Sequence, residues 1–215
     1  MLLPASTPLA SSGLARRLFQ WVGLAILAIT LAYAADLWTR ATGRAAAVWP
    51  LNAVFLVIGL RGRTGSWLAA LSAMVTGNIF ANLANSDPLP LALGMAGANL
   101  AEILIVAPLI AAGRPIQNAL FLPIGRLVVG AIVGSAVSAT IVFGLLTFGA
   151  NAQLALLDMM IWFAADAVGL LLFAPLVWAL TRRMSRTRFR NIGAMEAAIR
   201  IRPVAGRVYP AAVFK

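Results

Sequence analysis

Two carboxyls stand where this chain offers least to hold them. Asp166 lies near the middle of "MMIWFAADAVGLLLFAPLVWAL", residues Met159 to Leu180, and Glu102 lies well inside another apolar stretch, Leu89 to Ala112. The other acids, Asp36, Asp87, Asp158 and Glu196, are not placed so deeply. An aspartate at the centre of a membrane helix is unfavourable by about 3 kcal/mol before it finds a partner. It therefore faces a bundle interior or a wet cavity. Asn52, Asn78, Asn82 and Asn99 are the other strongly polar residues inside apolar runs. Asn78 and Asn82 share one helix face by their i, i+4 spacing, and Asn99 and Glu102 share another by i, i+3. No Lys or Arg lies deep within an apolar run, so a buried salt bridge is not expected. The partners left to the carboxyls are Asn side chains, water, a bound ligand, or their own protons. That is the chemistry of ligand or proton binding.

Composition narrows the rest. Of 215 residues, 62% are hydrophobic and 11% charged. A soluble domain is about one-quarter charged, and a soluble chain of this make-up would expose large apolar patches. The natural solvent is a bilayer. There is no Cys and no His. Their absence excludes disulfides, thiol catalysis, thiolate or His-ligated zinc, His-ligated haem and any Ser-His dyad. The net charge of +11 does not indicate nucleic acid, because nine of the 17 basic residues follow Leu180 and the remainder flank apolar runs. No aromatic stacking platform is interleaved with them.

A spanning helix needs roughly 20 mostly apolar residues. Candidate runs are Leu18–Trp38, Ala45–Leu60, Ser66–Leu83, Leu89–Ala112, Ile124–Gly149 and Leu154–Leu180. The second is short and carries Pro50. Loop punctuation separates the runs: "RGRTG" at 61–65, "ANSDPLP" at 84–90 and "GRPIQNALFLP" at 113–123. Residues 1–15 are expected to be disordered, 16–180 to form the membrane domain and 181–215 a basic cytoplasmic tail. Arginine placement orients the bundle. Arg16, Arg17, Arg61, Arg63, Arg114, Arg126 and the tail fall on one side, with only Arg40 and Arg44 on the other, so both termini are expected in the cytoplasm. The first run also fits a signal peptide, with its basic flank and Ala-x-Ala ending. Cleavage would leave five spans in the same orientation. In the tail, residues 191–202, with Ile192, Met195 and Ile199 on one side, suit either a plain retention signal or a helix on the anionic inner leaflet, ended by Pro203.

Counted from the outer ends at about 1.5 Å per residue, Asn52 and Asn78 lie roughly 9 Å deep, and Asn99, Asp166 and Glu102 roughly 14 to 18 Å. The inner half is nearly bare of polar groups, which suggests a pocket open to the outside. Two readings fit. The residues bind helices together by hydrogen bonds of about 0.6 to 2 kcal/mol each, or they form a pocket that senses a ligand or proton. "GAIVGSAVS" at 130–138 sets Gly130, Gly134 and Ser138 four apart, which is a packing motif. Trp38, Trp49, Trp67 and Trp178 lie near run ends and suit interfacial anchors.

Three segments together resemble the membrane-associated sensor domain family of the first type (MASE). They are "VWPLNAVFLVIGL" at 48–60, "GNIFANL" at 77–83 followed by "AGANLAEILIVAPLI" at 96–110, and "WFAADAVGLLLFAPLVWAL" at 162–180. Trp49, Pro50 and Asn52 match the family's Trp-Pro-Pro-Asn-Gly segment. Gly77, Ala81, Asn82 and Leu83 match its Gly-x-x-x-Ala-Asn-Leu segment. Asn99 and Glu102 match Gly-Asn-x-x-Glu, with Ala98 for Gly. Asp166, Gly169 and Pro175 match the Gly-Asp-x-Leu-Gly segment and its following Pro, with Ala165 for the first Gly. The resemblance implies a membrane input domain of the kind fused to a histidine kinase, diguanylate cyclase or phosphodiesterase. Family members usually continue into further hydrophobic helices after the Asp-containing one and into an output domain, and neither is expected in this chain. The chain therefore looks like the first part of such a sensor, as a relic, a truncated product or a fragment with an unrelated tail.

The expectation is an all-α, polytopic membrane bundle of about six transmembrane helices in the bacterial inner membrane. Its expected function is sensory input, with no catalysis, cofactor or metal of its own. The sensing core is expected to comprise Asp166, Glu102, Asn99, Asn82, Asn78 and Asn52, with Trp49 and Pro50 shaping its outer rim. Expected partners are the lipid bilayer, a small-molecule or proton signal, and a cytoplasmic kinase or cyclase or a second copy of the chain, but no nucleic acid. The alternatives are a small solute transporter, a membrane substrate-binding subunit, or the remnant of a larger sensor.

Overall fold

The computed structural model describes residues 10–39, 48–62, 64–112, 116, 119–147 and 152–200. They form α1 (Ala10–Thr39), α2 (Pro50–Arg61), α3 (Thr64–Ala84), α4 (Leu89–Ala111), α5 (Ile124–Thr147) and α6 (Ala152–Arg200), with no strand among the described residues. Two compact units divide the chain, Met1–Trp178 and Ala179–Lys215. Arg40, Arg44, Arg63, Arg114 and Pro203, which enter the topological and tail expectations, lie outside the described residues, as do residues 1–9.

Proline and turn chemistry set the helix starts and stops. Pro50 opens α2, Pro88 and Pro90 open α4, and Pro123 precedes α5, positions where a missing N–H costs nothing. At the end of α3, Ser86 takes a left-handed φ of 66°, and the Asp87 amide donates to the Asn82 carbonyl at 3.1 Å. This closes the helix with the wrapped-back bond of a Schellman turn. The Asn85 amide side chain then donates to Asp36 at 2.6 Å and ties the turn to the end of α1.

Five helices are long and apolar enough to cross a bilayer: Gly13–Leu37, Ser66–Ala84, Leu89–Ala111, Ile124–Thr147 and Ala155–Thr181. Their surfaces are inverted relative to a soluble protein. Leu18, Phe19, Phe80, Leu93, Val129 and Leu172 are exposed, whereas Asn52, Asn78, Asn99, Glu102, Ser135, Ser138 and Asp166 are buried. Polar groups inside and hydrocarbon outside mark a multi-pass membrane protein.

Two expectations change. First, α1 begins at Ala10, so residues 10–15 are helical rather than a disordered leader. Second, α2 has only 12 residues and begins at Pro50, not Ala45. It is about 18 Å long at 1.5 Å per residue, well short of the roughly 30 Å hydrocarbon core. The apolar residues 45–47 extended the run on paper, but the helix starts at the proline.

The packing fixes where α2 sits. α4 lies against α5, α1 against α3, and α3 against α4, while α2 touches α1, α3 and α4. The C-terminal end of α2 meets the later part of α6, where Arg61 donates to the Trp178 carbonyl at 3.2 Å and its guanidinium lies 3.9 Å from the centre of the Trp178 ring. At its other end, the Trp49 amide donates to the Ala165 carbonyl at 3.2 Å. Ala165 is about 15 Å into the apolar part of α6, counted from Ala155. The chain thus reaches mid-bundle depth before α2 begins, and α2 completes only the remaining half. Trp49 and Trp178 are buried, so neither is the interfacial anchor that its place near a run end suggests.

Candidate functional site

The start of α2 delivers Asn52 to the middle of α4. Asn52 lies in the first turn of α2. Its Nδ2 donates to Asn99 Oδ1 at 2.8 Å and also to Glu102 Oε2. Asn99 and Glu102 lie about 15 and 20 Å along α4 from Leu89. Asn52 is therefore level with them, and deeper than the roughly 9 Å that the sequence count gives. The unpaired N–H groups of a helix's first turn carry partial positive charge, so the α2 N-terminus sets this polarity beside the Glu102 carboxyl.

A third helix holds the other oxygen. Ser135 Oγ donates to Glu102 Oε1 at 2.5 Å. Gly134 makes that approach feasible. A Cβ there would lie 2.6 Å from Val106 Cγ2 and 3.1 Å from Glu102 Cγ, so any side chain would push α5 away from α4. One turn on, Ser138 Oγ donates to Asp166 Oδ2 at 3.1 Å and accepts from Trp162 Nε1 at 2.9 Å. The two serines are three residues apart on one face of α5. Through them α5 bridges Glu102 on α4 to Asp166 on α6.

The segment before α2 packs against α6 one turn beyond Asp166. A Cβ on Gly169 would lie 2.1 Å from the Trp49 carbonyl oxygen and 2.8 Å from its carbon. Only glycine lets the backbone of Trp49 lie here. Trp49, and Pro50 next to it, consequently stand at mid-depth and not at an outer rim.

Asp166 is 1% exposed and Glu102, Asn99 and Asn52 are fully buried. The hydrogen bonds join Asn52, Asn99 and Glu102 directly, and Ser135 and Ser138 extend the set to Asp166. Asn78 and Asn82 form a local pair instead: Asn82 Nδ2 donates to Asn78 Oδ1 at 2.7 Å and to the Asn78 carbonyl at 2.9 Å. No hydrogen bond connects this pair to either carboxyl among the described residues. Among the described residues, Asn52 Oδ1, Asn99 Nδ2 and Trp49 Nε1 are buried and have no hydrogen-bond partner. Each such atom costs about 1 to 3 kcal/mol if it stays dry. Asn52 and Asn99 thus leave one acceptor and one donor open beside Glu102.

Ser135, Ser138 and Trp162 are the members that the sequence did not single out as polar partners. The signal for the two serines was their i, i+3 spacing within the glycine-spaced stretch of α5, which looks like packing until the carboxyls opposite are known. Comparison of the chain with family models, with curated proteins and with solved structures returned no match.

Proposed function

We propose that this chain is an integral membrane sensory input domain whose signal is received at the polar centre around Glu102 and Asp166. The observation that carries the reading is the pair of open polar atoms, Asn52 Oδ1 and Asn99 Nδ2, on side chains joined to each other and to Glu102 at mid-depth, with Trp49 Nε1 likewise buried and open. Buried polar groups are ordinarily satisfied by protein or water. A centre built only to glue helices has no use for three that are not. It is suited to exchange water for a small polar ligand, or to take up and release a proton. Glu102 is held by side chains of α2 and α5, and Asp166 by one of α5, so a change at either carboxyl alters how these helices pack. The resemblance to the MASE family supports the same reading. Its matching residues come from distant parts of the chain yet converge: Trp49 on Gly169, and Asn52 on Asn99 and Glu102.

In this reading the domain lies in the bacterial inner membrane with both termini in the cytoplasm. The chain crosses six times, with α2 in one of the crossings. It has no catalysis of its own and acts on a cytoplasmic kinase or cyclase, or through a second copy. The test joins the chain to a diguanylate cyclase output and measures cyclic dinucleotide. Asp166→Asn and Glu102→Gln should leave the bundle folded and shift the output. Unchanged output from both, with wild-type folding, would overturn the sensing role of the centre.

The half-length α2 favours a second reading, a small solute transporter or its substrate-binding membrane subunit. Interrupted helices whose ends meet at the midplane are a recurrent design of solute carriers. Reconstituted vesicles that accumulate a solute, with accumulation lost in Glu102→Gln, would support transport over sensing.

A further inference from the structure

Far from the polar centre, a cavity of about 800 Å³ opens between the starts of α1 and α3 and the later part of α2. Arg16, Arg17 and Gln20 of α1 and Ser66 of α3 line it, together with the apolar side chains of Leu24 and Ile58. The lining is graded along α1. Arginines stand at its mouth, Gln20 one turn in, and Leu24 about 12 Å from Arg16 at 1.5 Å per residue. Gly23 lines it too, and a Cβ built there meets nothing within 4 Å, so the wall is left open at that level. Neighbouring Leu18 and Phe19 are 60% and 82% exposed, which places this part of α1 against lipid. Arg16 and Arg17 are exposed, and no acid is paired with either among the described residues. The nearest acid on the same helix, Asp36, is at the far end and bound to Asn85.

We propose that this cavity is a binding site for the phosphodiester headgroup of an anionic phospholipid. Two guanidiniums present planar forks that match phosphate oxygens. The Gln20 amide suits the headgroup hydroxyls or ester oxygens, and the apolar wall beyond it suits the upper acyl chain. Basic pockets between helices at the membrane surface take lipid headgroups by this logic. A free phosphate would use the arginines but gain nothing from Leu24, Ile58 and the gap at Gly23, so the lipid is the occupant that the whole lining fits.

The test uses the full chain in detergent, titrated with dioleoyl phosphatidylglycerol or with dioleoyl phosphatidylcholine, with binding read by native mass spectrometry. Wild type should retain phosphatidylglycerol in preference to phosphatidylcholine. The double variant Arg16→Gln/Arg17→Gln should lose roughly 30-fold in apparent affinity for the anionic lipid, as two arginines near a lipid surface contribute. Gly23→Leu keeps both charges and fills the gap. It should weaken both lipids' binding, whereas a purely electrostatic patch would be indifferent to it. Helical content by circular dichroism checks each variant's fold. Equal retention of the two lipids by wild type, or a preference unchanged in the double variant, would overturn the proposal. Displacement of the lipid by millimolar inorganic phosphate would also overturn it, by assigning the cavity to a soluble anion.

Discussion

Replacing Gly169 with alanine should unseat the segment that leads into α2. A Cβ at 169 would lie 2.1 Å from the Trp49 carbonyl oxygen, and the closest ordinary carbon–oxygen approach is about 3.3 Å. Relief of about 1.2 Å is therefore needed, and the group that must yield is backbone, not the tip of a flexible side chain. The Trp49 amide to Ala165 carbonyl bond is already 3.2 Å long, and such a displacement would break it. Overpacking costs about 1 to 3 kcal/mol, and the lost bond about 0.5 to 1.5 kcal/mol. The better helix propensity of alanine offsets about 1 kcal/mol. The net expectation is a destabilisation of about 0.5 to 3.5 kcal/mol. Reversible unfolding in mixed micelles at increasing sodium dodecyl sulfate, followed by circular dichroism, gives the number. Gly144→Ala is the control, because a Cβ there meets nothing within 4 Å. It should be neutral or stabilising by up to about 1 kcal/mol. If Gly169→Ala proves as stable as Gly144→Ala, the Trp49 backbone does not lie against α6 and the mid-depth start of α2 is wrong.

Other perturbations test the frame around the centre. Ser86→Gly should stabilise the turn after α3 by up to about 1 to 2 kcal/mol, the cost of a left-handed residue with a side chain, and raise the thermal midpoint in detergent. A fall in the midpoint would contradict the left-handed closure. Arg61→Gln removes the cation over Trp178 and its bond to the Trp178 carbonyl, and should destabilise by about 1 to 2 kcal/mol in the same unfolding assay. No change would mean that the stack contributes nothing. Alkaline phosphatase fused after Asn85 should be active and after Arg190 inactive, as the arginine distribution requires. The reverse pattern would invert the bundle.

The long helices were legible because a spanning helix is specified by little more than an uninterrupted apolar run and punctuation at its ends. α2 was not, because Ala45–Ala47 are apolar and extend the run to near-spanning length. Pro50 was the sign that the helix begins later, since proline belongs in a first turn. The depth of Asn52 followed from that one misplacement, as did the assignment of Trp49 to an outer rim. Spacing alone did show that Asn78 and Asn82 share a face, and their hydrogen bonds are indeed to each other. What spacing does not carry is which helix lies opposite. Ser135 and Ser138 have the size of packing residues and are used as donors only because α4 and α6 place carboxyls before them. Trp178 resembled an interfacial anchor until Arg61, 117 residues earlier in the chain, covered its ring.

That residues from separate helices form one polar unit at mid-depth is tested most directly by a double-mutant cycle between Asn52→Ala and Glu102→Ala, scored as unfolding free energies in mixed micelles. Their side chains are hydrogen-bonded across α2 and α4. The cycle should return a coupling of about 0.6 to 1.7 kcal/mol, the range found for hydrogen bonds between membrane helices. The parallel cycle of Asn78→Ala with Glu102→Ala should add within about 0.3 to 0.5 kcal/mol, as for sites that share no partner. Additivity of Asn52→Ala with Glu102→Ala within that same margin would contradict the shared centre.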